Sequence, residues 1–148
     1  IDGSDFSKFA VMELAKMTLQ KNCEICIINV YEHPSISSPE LVTVVNTIDT
    51  YYQEYIKNIK KHAEKIILDA AKVLKEKNRS LSITTSAING LPKSEILKKA
   101  ESLDVDLIVV GSQGQGAFSR FLLGSVSQYI ATHAKCSVLI VKKNTNNI

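Results

Sequence analysis

The chain has 148 residues, 45% of them hydrophobic and 22% charged, and 18 basic against 15 acidic side chains give a net charge of +3. That length suits one domain with enough apolar content to bury a core. The charge is too mild to imply a nucleic-acid partner, and no apolar run approaches the ~20 residues of a membrane span.

The amino end shows no basic-then-apolar leader pattern, and a cytoplasmic location is expected. The chain opens "IDGSDFSK" and passes almost at once into a helical pattern. Phe6, Phe9, Ala10, Leu14, Met17 and Leu19 fall roughly on one face. In an alternating α/β order a strand should precede that helix, and only Ile1 and Asp2 represent it. The expectation is that the numbered chain starts just after a first strand. In a doubly wound sheet that strand is usually central, so its loss would leave two inner strands with open edges.

"CEICIINV" (23–30) reads as a strand. Cys23 and Cys26 form a C-x-x-C, which raises a metal or redox reading. Side chains three apart on a strand point to opposite faces, and no second Cys/His pair completes a zinc site. Both are expected to be buried structural thiols, as is Cys136, just ahead of the last strand. No catalytic or metal-ligating residue is assigned. His33, His62 and His133 have no triad or ligand spacing, and His133 reads as part of a helix end.

A helix is expected from "SPEL" (38–41), with Ser38 as cap and Pro39 at the first helical position, to about Lys77. Ile56, Ile59, Ala63, Ile66, Ile67, Ala70, Val73 and Leu74 form its apolar stripe. Lys57, Lys60, Lys61, Lys65, Lys72 and Lys75 read as its solvated face. "LSITTSAI" (81–88) alternates as a strand, and "PKSEILKKAESL" (92–103) reads as a short helix. "DLIVVG" (106–111) is a continuous apolar run, as expected of a strand buried on both faces. "GSVSQYIATHA" (124–134) is a helix, "SVLIVK" (137–142) a strand, and "KKNTNNI" a polar, frayed tail. Strands alternating with helices predict one parallel α/β domain over residues 1–148 with right-handed crossovers.

The segment "VVGSQGQGAFSRFLLGSVSQ" (109–128) carries Gly111, Gly114, Gly116 and Gly124. Gly111 ends a strand, and ligands of open α/β sheets sit beyond the carboxyl ends of strands. Glycines there permit close backbone approach to a ligand, and Gly124–Ser125 opens a helix whose free N–H groups favour an anion. The Walker template fails because Lys is absent after Gly116 and Gly124. The dinucleotide fingerprint fails because Ser119 stands where a glycine is required. Geometry alone leaves two readings, a phosphate site or a structural loop with a helix cap. Arg120 could reach a phosphate or be a solvated charge, while Phe118, Phe121, Leu122 and Leu123 read as anchors of the loop to the core.

Gly111-x-x-Gly114, nine residues, then Gly124-Ser125 resembles the nucleotide-binding motif of the universal stress protein family in its ATP-binding branch. The flanking segments "IDGSDFSKFAVMELA", "IINV", "DLIVVGSQG" and "LLGSVSQYIATHAKCSVLIVK" look like that family's as well. The resemblance spans nearly the whole chain, with "YEHPSISSPE" and the long helix as its variable middle. It implies a Rossmann-like, doubly wound, parallel five-stranded sheet in order 3-2-1-4-5, here with the first strand largely missing. It also implies ATP as ligand, and Mg²⁺ could arrive with the nucleotide. Asp2 matches a nucleoside contact, Val30 an adenine contact, and Gly111, Gly114, Gly124, Ser125 and Val126 the phosphate and ribose contacts. Gln113 stands where the family often has His or Arg.

The implied role is a nucleotide-binding regulatory module in stress response, working by binding rather than catalysis, with a protein partner the sequence does not name. The family is commonly dimeric through its last strand, here 137–142, which would cover an exposed edge. The alternatives are a slow ATP hydrolase or nucleotidyl-transfer enzyme on the same fold, or a dimeric scaffold that binds no nucleotide.

Overall fold

The computed structural model describes residues 1–20, 22–33, 45–116 and 123–143, with the side chains of 45–49 outside the description. Among these residues helices and strands alternate: α1 (Asp5–Lys16), β1 (Glu24–Tyr31), α2 (Val45–Lys77), β2 (Ser82–Asn89), α3 (Pro92–Ser102), β3 (Leu107–Gly111), α4 (Ser125–His133) and β4 (Ser137–Val141).

The α1 helix starts where its sequence says it should. Ser4 is the N-cap, its hydroxyl accepting from the Ser7 amide at 3.2 Å, and Asp5 lies in the first turn where the helix dipole favours an anion. It closes at Met17, one residue past its last turn. Met17 therefore leaves the apolar face expected of it and is 43% exposed. Within α2 the apolar stripe holds: Ala63, Ile67, Ala70 and Leu74 are buried, while Lys57, Lys60, Lys61, Lys65, Lys72 and Lys75 are exposed. The expected start at Ser38 and Pro39 lies outside the described residues, as does the tail from 144 onward. Pro92 opens α3, where its missing N–H costs nothing.

Both strand pairs are parallel. β1 runs in register with β2 from Glu24↔Ser82 to Tyr31↔Asn89, and β3 with β4 from Leu107↔Ser137 to Gly111↔Val141. The described strands thus form two two-stranded sheets, not one sheet of five. Among the described residues, the first residues of the sequence run from one pair toward the other. The Ile1 nitrogen donates to the Ile28 carbonyl at 2.8 Å, and the Asn29 side-chain amide donates to the Ile1 carbonyl at 2.8 Å. From there α1 packs on α2 and reaches β3 and β4. Among the described residues β3 pairs with β4, and it is not buried on both faces as its apolar run predicts. Leu107 is 39% exposed, and the rest of β3 is half-buried.

The main core lies between α1, β1 and α2, built from Val11, Ile27, Ile67, Ala70, Leu74 and Leu81. The three cysteines are free but only half-buried, which corrects the expectation of buried thiols. Cys23 precedes β1 and Cys136 precedes β4, so both sit at the ends of strands, outside the core. No helix among the described residues is long and apolar enough to cross a membrane.

Candidate functional site

The carboxyl end of β3 is where the chain's first residues meet its glycine loop. Gly111, the last residue of β3, lies hard against the first turn of α1. A Cβ built there would stand 2.7 Å from the Phe6 carbonyl carbon, 2.8 Å from the Phe6 oxygen and 3.0 Å from the Ser7 nitrogen. Only a glycine lets helix main chain approach strand main chain this closely. Gly111 therefore serves the packing of α1, which in turn delivers Asp2 to the loop.

The loop is pinned at both ends through Ser112. Its amide donates to the Val141 carbonyl at 2.8 Å, continuing the ladder with β4. Its carbonyl accepts the Gly124 amide at 2.8 Å and the Ser127 hydroxyl at 2.9 Å. Ser112 and Ser127 are both buried. Gly124 is crowded, not strained: its φ and ψ of −65° and 152° are ordinary extended backbone. A Cβ there would lie 3.1 Å from the Gln113 Cα and 3.6 Å from the Gly114 nitrogen. The start of α4 is thus held against the start of the loop.

Gly124 is the N-cap of α4 and supplies no side-chain hydrogen bond to it. The first amides of a helix have no partner within it. Those of Ser125 and Val126, and the exposed Ser125 hydroxyl, are thus donors at the positive end of a nine-residue helix.

Opposite them is Asp2. A Cβ on Gly114 would lie 2.7 Å from Asp2 Oδ2, so any side chain there would press on the carboxylate where it now sits. Asp2 Oδ1 accepts from the Ser4 amide at 3.0 Å and the Ser4 hydroxyl at 2.6 Å. Oδ2 accepts from the Gln115 amide at 3.0 Å, and the Gln115 side chain donates to the Asp2 carbonyl. Burial pushes the Asp2 carboxyl up, but the bonds from the Ser4 hydroxyl and amide lead the effects that outweigh it and hold it below the usual carboxylate range. Asp2 is therefore an anion at neutral pH, aimed at donors.

The structure gathers Asp2, Gly111, Gly114 and Gly124 into one cluster, with Ser125 and Val126 at its helical edge. Val30 stays with the β1–β2 pair, half-buried and in register with Ile88. Its tie to the cluster runs through Ile1, bonded to Ile28. Arg120, Phe118, Phe121 and Leu122 lie outside the described residues, and Leu123 is 38% exposed, a weak anchor for the loop. His133 ends α4, as expected. No group of three His, Cys, Asp or Glu residues is gathered for a metal among the described residues.

Ser4, Ser7, Ser112 and Gln115 do much of the positioning, and sequence reasoning missed them; Ser127, which it offered beside Ser125 as a hydroxyl donor to a phosphate, is buried and donates to the Ser112 and Gly124 carbonyls instead. "DGS" carried a signal for Ser4. An Asp that accepts from the amide two residues on is a common turn, and Gly3, at φ 81°, makes the bend.

The model of the universal stress protein family matches residues 1–142. Universal stress protein YxiE of Bacillus subtilis is 32% identical over 142 residues, which cover 96% of this chain and 95% of that one. The structure of universal stress protein UspA from Lactobacillus plantarum aligns with a TM-score of 0.76 at 22% identity, over 96% of this chain and 93% of that one. The crystal structure of a universal stress protein in complex with cAMP aligns with a TM-score of 0.64 at 25% identity, over 96% and 91%.

Proposed function

Because the chain belongs to the universal stress protein family, we propose that it is a cytoplasmic, single-domain adenine-nucleotide-binding module in stress response, with ATP as the preferred ligand. One observation carries this reading. Gly114 lies beside both an ionised acceptor, Asp2 Oδ2, and the start of a helix with no side-chain cap, Gly124. A ligand with donors at one end and an anion at the other fits that arrangement. A nucleotide is such a ligand, and a relative of the same fold is described in complex with cAMP.

On this reading the amides of Ser125 and Val126 and the Ser125 hydroxyl hold phosphate oxygens at the positive end of α4. Gly114 and Gly124 keep that approach free of side chains. Asp2 accepts from the nucleoside, and Val30 offers an apolar contact to the adenine. Mg²⁺ would enter with the phosphates and add its charge to theirs. The chain's residues bind and orient, and any effect on a partner follows from unequal nucleotide affinity in two states of the protein.

In the family's five-stranded order, 3-2-1-4-5, the first strand would lie between β1 and β3, which the Ile1–Ser7 segment now links. A homodimer through β4 is part of the proposal. A groove of about 320 Å³ runs between α1 and β4, lined by Phe9, Met17, Leu139 and Val141, and a second copy pairing along β4 would cover it. Light scattering that returned the mass of one chain at working concentration would remove the dimer.

The test of nucleotide binding is to denature the purified protein, filter it and identify what is released by mass spectrometry. Calorimetric titration with ATP, AMP and cAMP, each with Mg²⁺, follows. The expected result is an adenine nucleotide at about one per chain, either released or titrated. No released nucleotide and no heat with any of the three would return the loop to a structural role.

A further inference from the structure

We propose that Gln115 sets the affinity of the nucleotide site, because its main-chain amide occupies Asp2 Oδ2, an acceptor the nucleoside would use, and its side-chain amide, bonded to the Asp2 carbonyl, holds it there. Binding then exchanges Gln115 donors for ligand donors. The inference rests on the adenine-nucleotide reading and adds to it a residue with a defined opposing effect.

The geometry is a strap between residues 113 positions apart: the Gln115 amide donates to Asp2 Oδ2 at 3.0 Å, and the Gln115 side-chain amide donates to the Asp2 carbonyl. A carboxylate oxygen offers about two acceptor positions. Both positions on Oδ1 are taken by Ser4, through its amide and its hydroxyl. On Oδ2 one position is taken by the Gln115 amide. An incoming donor that takes that position has to displace Gln115. Ser4 is fixed as the N-cap of α1. Gln115 is exposed on the loop, where water competes for its bonds, so it is the partner that leaves.

The chemistry also fixes the orientation. Ribose hydroxyls and the adenine amino group are donors, whereas phosphate oxygens at neutral pH accept. The nucleoside end is the end that meets Asp2, and it is the end Gln115 opposes. An exchange of this kind lowers apparent affinity by the fraction of time the strap is open. That penalty falls on association, because the strap must open before the ligand seats.

The experiment uses the full chain, with ATP and cAMP as probes, and measures Kd by calorimetry and kon by stopped flow. Wild type, Gln115→Ala and Gln115→Met are compared, the last keeping bulk without a donor. Both variants keep the main-chain amide and remove the side-chain bond to the Asp2 carbonyl that holds the strap shut; the loss of one such neutral hydrogen bond corresponds to about three- to tenfold. Both variants should bind tighter than wild type by that factor, with the gain in kon. Binding only by the variants would support the exchange more strongly. Wild-type binding with unchanged or weaker binding in the variants would overturn the exchange and leave the nucleotide site standing. A gain in Gln115→Ala alone, or one confined to koff, would overturn it too. Silence from all three proteins would remove the nucleotide reading and this inference with it.

Discussion

On the β1–β2 side of the molecule, α2 lays Ala63, Ile67, Ala70 and Leu74 inward, and the core closes with Val11, Ile27 and Leu81. At the carboxyl end of β3 the close contacts are of another kind. Main chain meets main chain at Gly111 and Phe6, and short polar groups tie Ser112, Ser127, Asp2 and Ser4 together. The first region holds by apolar area removed from water, which tolerates approximate shapes. The second holds by clearances of a few tenths of an ångström and by a few directional bonds, which do not. The difference separates the part of the chain that supplies stability from the part that presents a site.

The largest expected effect lies in the first region. Leu74 is 1% exposed, and Leu74→Ala should cost about 2–5 kcal/mol of unfolding free energy, read by urea denaturation. The nucleotide affinity of the folded variant should stay within about twofold of wild type, since such a change is under ~0.5 kcal/mol. An affinity that collapsed together with stability would mean that the two regions are not separable.

The two glycines of the loop's first half sharpen the contrast. Gly111→Ala drives a Cβ into the backbone of Phe6 and Ser7. Fixed main chain cannot yield easily, so a loss of about 1–3 kcal/mol is expected in the same denaturation experiment. Gly114→Ala meets only the Asp2 carboxylate, which can swing away. Its stability loss should be smaller, under ~1 kcal/mol, the scale of one exposed hydrogen bond. Its nucleotide affinity should nonetheless fall by about tenfold, or ~1.4 kcal/mol. Equal stability losses from the two substitutions would erase the distinction between a packing glycine and a site glycine.

The legibility of the chain divides along the same line. The α2 stripe, the strands and the helix start at Pro92 were readable, because periodicity and helix-start residues are local properties of the sequence. The glycines that gather beyond β3 were readable too. Their separate reasons were not. Whether a glycine is needed for main chain or for a ligand depends on what faces it, and Phe6 and Asp2 are brought to Gly111 and Gly114 only by the fold. Gln115 was invisible for the same reason. Leu107 and Met17 misled because their neighbours continue an apolar pattern that the element itself does not. β3 has one strand partner, and α1 ends before Met17.

The smallest effect concerns the charge that joins the two regions' ends. The Asp2 carboxyl sits below its usual range because effects led by the Ser4 hydrogen bonds outweigh the cost of its burial. A carboxyl depressed in the folded state contributes stability that is fully present above its unfolded value of about 3.9 and is lost as pH falls through the folded value. Asp2→Asn removes that contribution at every pH while keeping the shape. The stability difference between wild type and Asp2→Asn should therefore be flat from pH 7 to about pH 5 and shrink below about pH 4. Parallel curves down to pH 3 would show that Asp2 folds without favouring its charge. In that case the acceptor that defines the nucleoside end of the site would owe its position to the Asp2–Gly3–Ser4 turn alone.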